Sequence, residues 1–495
     1  MRPHFFATFL RGALAALLVL GAALRAQPVI QTVFYDMPAE LLPNPIPAPT
    51  AQLLAVPGYP NDAARLTFIA RLYRPDPAVH GPGPYPVVLF LHGAGGFWPS
   101  DSIPAQITAD NAPIQQLRDW GNLLVGLGYA ALFPDSFNPR GIGGNFDSRR
   151  PHHDPLLDDA ACSPNYERPK DVVAALAYLA SRTDIDRERV ALIGFSHGAQ
   201  TGMNALLDVS VDRGTYDVDY IARVEQPAGS GNFVDVQEKR VVPGPVRIPA
   251  HLPFPKFCAF YYGGGGHYSY HGSPSSTAAG RYMLDRRTTA ILFHGTGDPL
   301  MGISNINTTP ITATATPLRQ VLASAAQAAT LGLPNPIVRH YLFDRTAVHA
   351  ADTRVGHSFD LGTVNIAAPA DWDTAAESPN QKARRLARDE VLRWLDFTFG
   401  PRPALALSVP TPGTLQAAWP TRARLAYRLE TSTDLLAPWT EASPWTTGDG
   451  ALATASAALA APGRRFYRLH YRPAAMPVSA PEHAGFFKTY ADFGL

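Results

Sequence analysis

The feature that most constrains this chain is the run VALIGFSHGAQ, residues 190–200. Val190 to Phe195 is nearly uninterrupted in apolar character, which is how a strand covered on both faces reads. A stretch of helical character opens at Ser196 with no linker before it. So abrupt a change of direction needs a strained residue at its tip, and side chains two places before and after that tip would collide. Both places, Gly194 and Gly198, are glycine. The turn lifts the Ser196 hydroxyl clear of the sheet and aims the first N–H groups of the helix beside it, where developing negative charge is favoured. An ordinary glycine-rich turn can carry the same letters. With a buried strand before it and a helix after it, however, G-x-S-x-G is the setting in which a serine acts as nucleophile.

A nucleophilic serine needs a base, and the base needs an orienting carboxylate; in chains of this kind the order is Ser, then Asp or Glu, then His. Asp298 closes the strand-like segment AILFHGTGDPL through two glycines, and His357 lies in VGHSFD, between the strand-like VRHYLF and the last helical stretch. Asp298 and His357 are therefore the expected partners of Ser196. His349 in RTAVHAAD and His294 in LFHGTG remain open alternatives for the base. An oxyanion formed at Ser196 requires two backbone donors. One is the N–H of His197, and the other is expected from His92-Gly93-Ala94-Gly95-Gly96, which follows VVLFL. Ala94 is the expected donor there, with Gly95 the close alternative.

Around this core the chain alternates short apolar runs with amphipathic stretches. Residues 87–91, 130–133, 190–195, 259–262, 290–293 and 338–343 read as strands; residues 171–181, a run from Ser196, 318–329 and 382–399 read as helices. Alternation of this kind implies a mostly parallel sheet wrapped on both sides, with reactive residues beyond the carboxyl ends of the strands. The expected divisions are a proline-rich extended lead-in at 27–64, a catalytic domain at 65–400, a small β-sandwich at 404–472 with turn-punctuated alternating runs, and an unclassified tail at 473–495. The sandwich is expected to bind a surface or polymer, or to act as a spacer, and is assigned no chemistry.

Residues 1–26 show a charged start, the uncharged apolar run Gly12–Leu24 and a small-residue exit at Ala26, the pattern of a signal peptide. The run is shorter than the ~20 residues a spanning helix needs. The expectation is export, secreted or periplasmic, with no membrane span after cleavage. Forty-two Lys and Arg against forty-one Asp and Glu leave no net field to gather nucleic acid or anionic lipid, so a small, roughly neutral substrate is expected. The two cysteines, Cys162 and Cys258, are compatible either with one disulfide or with two buried thiols.

Some features read more plainly than they look. His152-His153-Asp154 with Asp158 and Asp159 sits in a proline-punctuated polar stretch and is expected to be a solvated loop, so no metal is assigned. GTGDP and GGGG lack the Gly-Lys-Ser/Thr ending of a phosphate cradle. The run Phe260 to His267 suits a core strand with a flexible turn as well as it suits a pocket wall, and Asp135 suits a loop acid as well as a pocket residue.

Taken together, PYPVVLFLHGAGG, FPDSFNPRG, RPKDVVAALAYL followed by DIDRERVALIGFSHG, then HGTGD and GHSFD resemble the dienelactone hydrolase family within the α/β-hydrolases, over roughly residues 65–400. The resemblance implies the α/β-hydrolase fold and hydrolysis of a carboxylic ester or lactone through an acyl-enzyme, with no metal or organic cofactor. It maps the functional positions onto Ser196, Asp298 and His357. The founding members use a cysteine nucleophile where this chain has Ser196, so their particular lactone is not carried over. Residues 209–256 form an unusually long connection after the elbow, expected as a lid or pocket wall. In similar sequences Cys162 and Cys258 fall near corresponding places, which favours a disulfide.

Overall fold

In a computed structural model the described residues are 28–99, 103–104, 107, 113–142, 162–164, 167–206, 215–243, 246–261, 285, 287–295, 337–343, 359–360, 379–411, 414–433, 438–458, 465–474 and 487–488. A nine-stranded sheet forms the frame. Its strands are β1 (Val29–Asp36), β2 (Thr67–Arg74), β3 (Tyr85–Leu91), β4 (Ala130–Pro134), β5 (Ile185–Phe195), β8 (Phe257–Tyr261), β9 (Thr289–Gly295), β10 (Ile337–Phe343) and β18 (Phe487–Lys488). They lie in the order β1-β2-β4-β3-β5-β8-β9-β10-β18. β2 runs antiparallel to both neighbours, while β4, β3, β5, β8, β9 and β10 are mutually parallel. This is the α/β-hydrolase arrangement.

Alternation along these strands sorts the core into two layers, because successive side chains leave opposite faces. Val88, Phe90, Ile193, Phe195, Ala259 and Tyr261 pack with the helices Gln115–Gly126 and Pro379–Phe399 on one face. Val87, Leu89, Leu91, Leu192, Cys258 and Phe260 pack with the helices Pro169–Ala180 and His197–Ala205 on the other. Both faces of β3 and of the second half of β5 are thus buried, which is why those segments read as continuous apolar runs.

The described residues add to the expected organisation in three places. The stretch expected as an extended lead-in, 27–64, holds short helices at Ala39–Leu41 and Ala51–Leu54, and β1 within it pairs along its whole length with β2, so the sheet begins at Val29 rather than near residue 65. The tail at 473–495 returns to the sheet: Phe487 and Lys488 pair with Phe343 and Leu342. The long connection after the elbow contains its own two-stranded hairpin, β6 (Thr215–Glu225) with β7 (Phe233–Pro243). The helix Gln115–Gly126 was not expected, and the expected helix at 318–329 lies outside the described residues.

The C-terminal module is a β-sandwich. One sheet is β11 (Ala406–Thr411), β12 (Thr414–Pro420) and β16 (Leu452–Ala458). The other is built on β13 (Leu425–Ser432), with β14 (Thr440–Glu441), β15 (Thr446–Thr447) and β17 (Phe466–Pro473). Trp419, Tyr427 and Leu429 form its small core. The last helix joins it to the catalytic domain: Phe397 packs against both cores, and Arg422 bonds Asp396 at 2.8 Å.

Candidate active site

The end of β5 is the organising point. Ser196 stands at φ 50°, ψ −116°, between the buried strand and the helix His197–Ala205. A non-glycine residue in this region costs about 1–3 kcal/mol and persists only where its surroundings enforce it. Here they do. A Cβ on Gly194 would lie 2.6 Å from the Cα of Ala199 and from the carbonyl oxygen of Gly198. A Cβ on Gly198 would lie 2.2 Å from the carbonyl oxygen of Leu91 and 2.5 Å from that of His92. The elbow therefore closes on the carboxyl end of β3 as tightly as backbone allows. Ser196 N–H donates to Tyr261 O at 2.9 Å, tying the nucleophile's backbone to the end of β8.

The loop after β3 runs along the same spot. A Cβ on Gly93 would come within 3.2 Å of Phe195 O and 3.5 Å of Ser196 Cβ. Ala94 follows it, half-buried against the cluster of Phe137, Ile142 and Cys162. His197 occupies the first helical position, where no intrahelical acceptor exists for its N–H. The two expected oxyanion donors, Ala94 and His197, thus belong to segments that meet at Ser196.

Two residues whose side chains had no expected role hold this junction. His92 is buried; its Nδ1 lies 2.8 Å from Gly93 O, and its Nε2 accepts Ser136 N–H at 3.1 Å. Accepting at Nε2 places the proton on Nδ1, and burial together with the nearby Arg168 pushes its pKa well below the usual range, so the ring is neutral. Arg168 is fully buried. Its Nη2 donates to His92 O at 3.0 Å, its Nη1 meets His197 Nδ1 at 2.5 Å, and its guanidinium lies 5.0 Å from the Phe137 ring. One cation thereby ties the loop of Ala94 to the elbow. Burial lowers the Arg168 pKa to about 10, which leaves it charged at neutral pH. The sequence signal was the arginine immediately before the helix-opening proline of RPKDVV, but an isolated Arg is ordinarily exposed.

Behind the junction Arg140 and Asp171 form a fully buried two-pronged pair, with contacts of 2.5 and 3.1 Å. Asp135 proves to be a loop acid. It is fully buried and accepts from Trp98 Nε1 at 2.7 Å, Phe137 N at 2.9 Å, Asn138 N at 3.2 Å and Asn138 Nδ2 at 2.6 Å. Burial raises its pKa against these four donors.

Asp298 and His357 lie outside the described residues, as do His349 and the run 152–159. The nearest described neighbours are informative. β9 ends at Gly295, three residues before Asp298, and the alternative base His294 is a buried residue of that strand. Phe359, two residues after His357, is buried with its ring 6.0 Å from Tyr261 and 5.4 Å from Phe343. Asp360 accepts a hydrogen bond from Gln116 Nε2. Phe260 and Tyr261 are core residues of β8, and the rest of that run, 262–267, lies outside the described residues.

The disulfide favoured by the resemblance is not formed. Cys162 and Cys258 are both buried and no disulfide joins them. Cys258 sits in the core layer beside the elbow helix, 3.3 Å from Thr288 Oγ1, whereas Cys162 belongs to the separate cluster around Phe137. Burial pushes the Cys258 thiol up to about 12. Among the described residues no group of three or more His, Cys, Asp or Glu is arranged to hold a metal, and no helix is long and apolar enough to cross a membrane.

Sheet order and elbow together define a chain of the α/β-hydrolase class. No protein-family model and no curated protein matches it. Solved structures are similar to it at a distance. A dienelactone hydrolase-like promiscuous phosphotriesterase from metagenomic libraries is 15% identical with a TM-score of 0.35, over 75% of this chain and 99% of that one. A Mycobacterium tuberculosis puromycin-hydrolyzing peptidase is 12% identical with a TM-score of 0.34, over 68% of this chain and 38% of its own. A Pyrococcus horikoshii acylaminoacyl peptidase is 10% identical with a TM-score of 0.35, over 78% and 44%. The first carries the family name that the sequence motifs resemble; the fold assignment rests on the strand order itself.

Proposed function

We propose that this chain is an exported serine hydrolase that cleaves a carboxylic ester or lactone through an acyl-enzyme. Ser196 Oγ attacks the carbonyl carbon while the neutral imidazole of His357 takes its proton; Asp298 orients that ring and stabilises the imidazolium. The N–H groups of Ala94 and His197 receive the oxyanion. Collapse breaks the bond to the alkoxy oxygen, which leaves with the proton from His357. Water then repeats the sequence on the acyl-serine and frees the carboxylate.

The observation that carries this reading is the strained backbone of Ser196, enforced by backbone contacts and set between a buried parallel strand and a helix. It is supported by the anchoring of Phe359 on Tyr261, whose own carbonyl accepts the Ser196 N–H. A fluorophosphonate probe tests it: the intact protein is labelled, Ser196→Ala is not, and His357→Ala and Asp298→Asn label far more slowly. Labelling that survives loss of Ser196 ends the assignment, and loss on His349→Ala alone moves the base. An ester and an amide sharing one acyl group decide the leaving group, since a triad does not. Faster amide turnover replaces the esterase reading with a peptidase one. Export is checked by sequencing the N-terminus of mature protein recovered outside the cytoplasm, where a start at Gln27 is expected. The sandwich is read as a surface- or polymer-binding module; truncation after Arg402 retains hydrolysis if it is merely appended.

A further inference from the structure

At the seam between the catalytic domain and the sandwich lies a cleft of about 340 Å3, in the size range of small-ligand sites. Tyr129, Leu395 and Phe399 supply apolar wall, and Arg189 and Arg424 also line it. Arg189 belongs to β5, seven residues before Ser196, so at about 3.3 Å per residue the cleft is roughly 20 Å from the nucleophile, at the opposite end of the sheet.

Arg424 is the unusual member. Besides Ser196 it is the one non-glycine residue with positive φ among the described residues, at 78°. It lies in a turn closed by Leu425 N donating to Arg422 O at 3.2 Å. A glycine adopts that conformation freely and an arginine does not, so strain of this kind points to a use for the side chain. The Arg424 carbonyl oxygen accepts the Ala474 N–H at 2.8 Å; its guanidinium lies within electrostatic range of Asp396 and Tyr129 but makes no hydrogen bond or ion pair with any described residue. Arg189 engages Asp186 through Nε alone, at 2.6 Å. Asp396, the acid on the wall, is already answered by Arg422 at 2.8 Å.

We infer that this cleft is a binding site for a small organic carboxylate, held through its anionic group between Arg189 and Arg424 with its apolar body against Tyr129, Leu395 and Phe399. Guanidinium groups with free N–H edges suit a planar carboxylate. The inference does not depend on the proposed hydrolysis.

The test uses the full mature chain and three probes: benzoate, its neutral analogue benzamide, and inorganic phosphate. Binding is read by calorimetry and by shift of the melting temperature. Benzoate is expected to bind saturably below about 10 mM and to raise the melting temperature, with benzamide at least tenfold weaker. Arg424→Gly relaxes the turn, so it is expected to melt no lower than the parent and to keep full hydrolytic activity while losing benzoate at least tenfold. Arg189→Gln is expected to weaken benzoate likewise. Ser196→Ala is expected to bind benzoate unchanged, which separates this cleft from a product carboxylate at the catalytic serine and from any failure of the hydrolase assignment. Unchanged binding in Arg424→Gly, equal binding of benzamide, or no saturation by about 10 mM overturns the inference. Phosphate binding as tightly as benzoate overturns the organic-carboxylate assignment.

Discussion

Replacing Gly198 with alanine attacks the proposed mechanism at its geometric root. The new Cβ would stand 2.2 Å from Leu91 O and 2.5 Å from His92 O. Carbon and carbonyl oxygen approach no closer than about 3.3 Å in ordinary contacts, so the elbow must retreat from β3 by about 1 Å. The obstacle is backbone on both sides, and no side chain can rotate away. A displacement of that size at a reacting centre costs on the order of 100-fold in rate, and overpacking adds about 1–3 kcal/mol of destabilisation. Two other glycines calibrate the result. A Cβ on Gly202 meets the far ends of Leu192 and Phe260 at 2.7 and 2.8 Å, atoms that can shift, and Gly126 meets nothing within 4 Å. Steady-state kinetics on an activated ester and urea unfolding, measured on all three alanine variants, separate the effects. Gly198→Ala is expected to lose about 100-fold in kcat while remaining folded. Gly202→Ala should stay within about threefold of the parent, its overpacking offset by better helix propensity. Gly126→Ala should gain about 0.5–1 kcal/mol with full activity. A fully active Gly198→Ala protein, or a Gly202→Ala protein equally disabled, would refute the claim that close approach of the elbow to β3 sets the nucleophile.

Arg168→Met cuts the tie between His92 O and the His197 ring, and it is expected to lower kcat about 10- to 100-fold with KM nearly unchanged, with partial recovery in Arg168→Lys; an unchanged kcat in a folded variant refutes the positioning role. Burial opposes ionisation of Glu430, but hydrogen bonds from His470, Arg428 and Arg468 hold its pKa down to about 2. A folded-state pKa below the unfolded value of 4.5 means that this stabilisation is full above pH 4.5 and is lost as the pH falls towards 2. Because Arg468 is half-exposed, screening limits it to about 1–2 kcal/mol. Urea titrations should therefore show Glu430→Gln less stable than the parent at pH 7 and converging with it near pH 2; a gap independent of pH refutes the linkage. Both thiols should resist maleimide in the native protein and both should react on unfolding without reductant, whereas protection in the unfolded chain would show a disulfide.

Local sterics made part of this protein legible from its letters alone. A serine flanked two places away by glycines, after a strand buried on both faces and before a helix, has few conformations open to it, and the observed backbone of Ser196 is the expected one. Apolar runs at β3, β4, β5, β8 and β9 announced a parallel sheet for a related reason: strands covered on both sides exclude polar residues. Other features depend on partners far along the chain, which no local pattern specifies. VIQTVFYD becomes an edge strand because TFIARLYR lies beside it, with buried Arg71 bonding to Thr32. The short strand Phe487–Lys488 exists through its pairing with β10. Cys162 and Cys258 remain thiols because the fold puts them in different clusters. Arg168 gained its place at the elbow only when the tertiary structure gathered His92, Phe137 and His197 around it, since a buried charge is tolerable only where the assembled fold supplies acceptors and a ring face. Residue sequence thus determined the conformation demanded at Ser196, and long-range packing decided which buried charge and which backbone carbonyls hold it there.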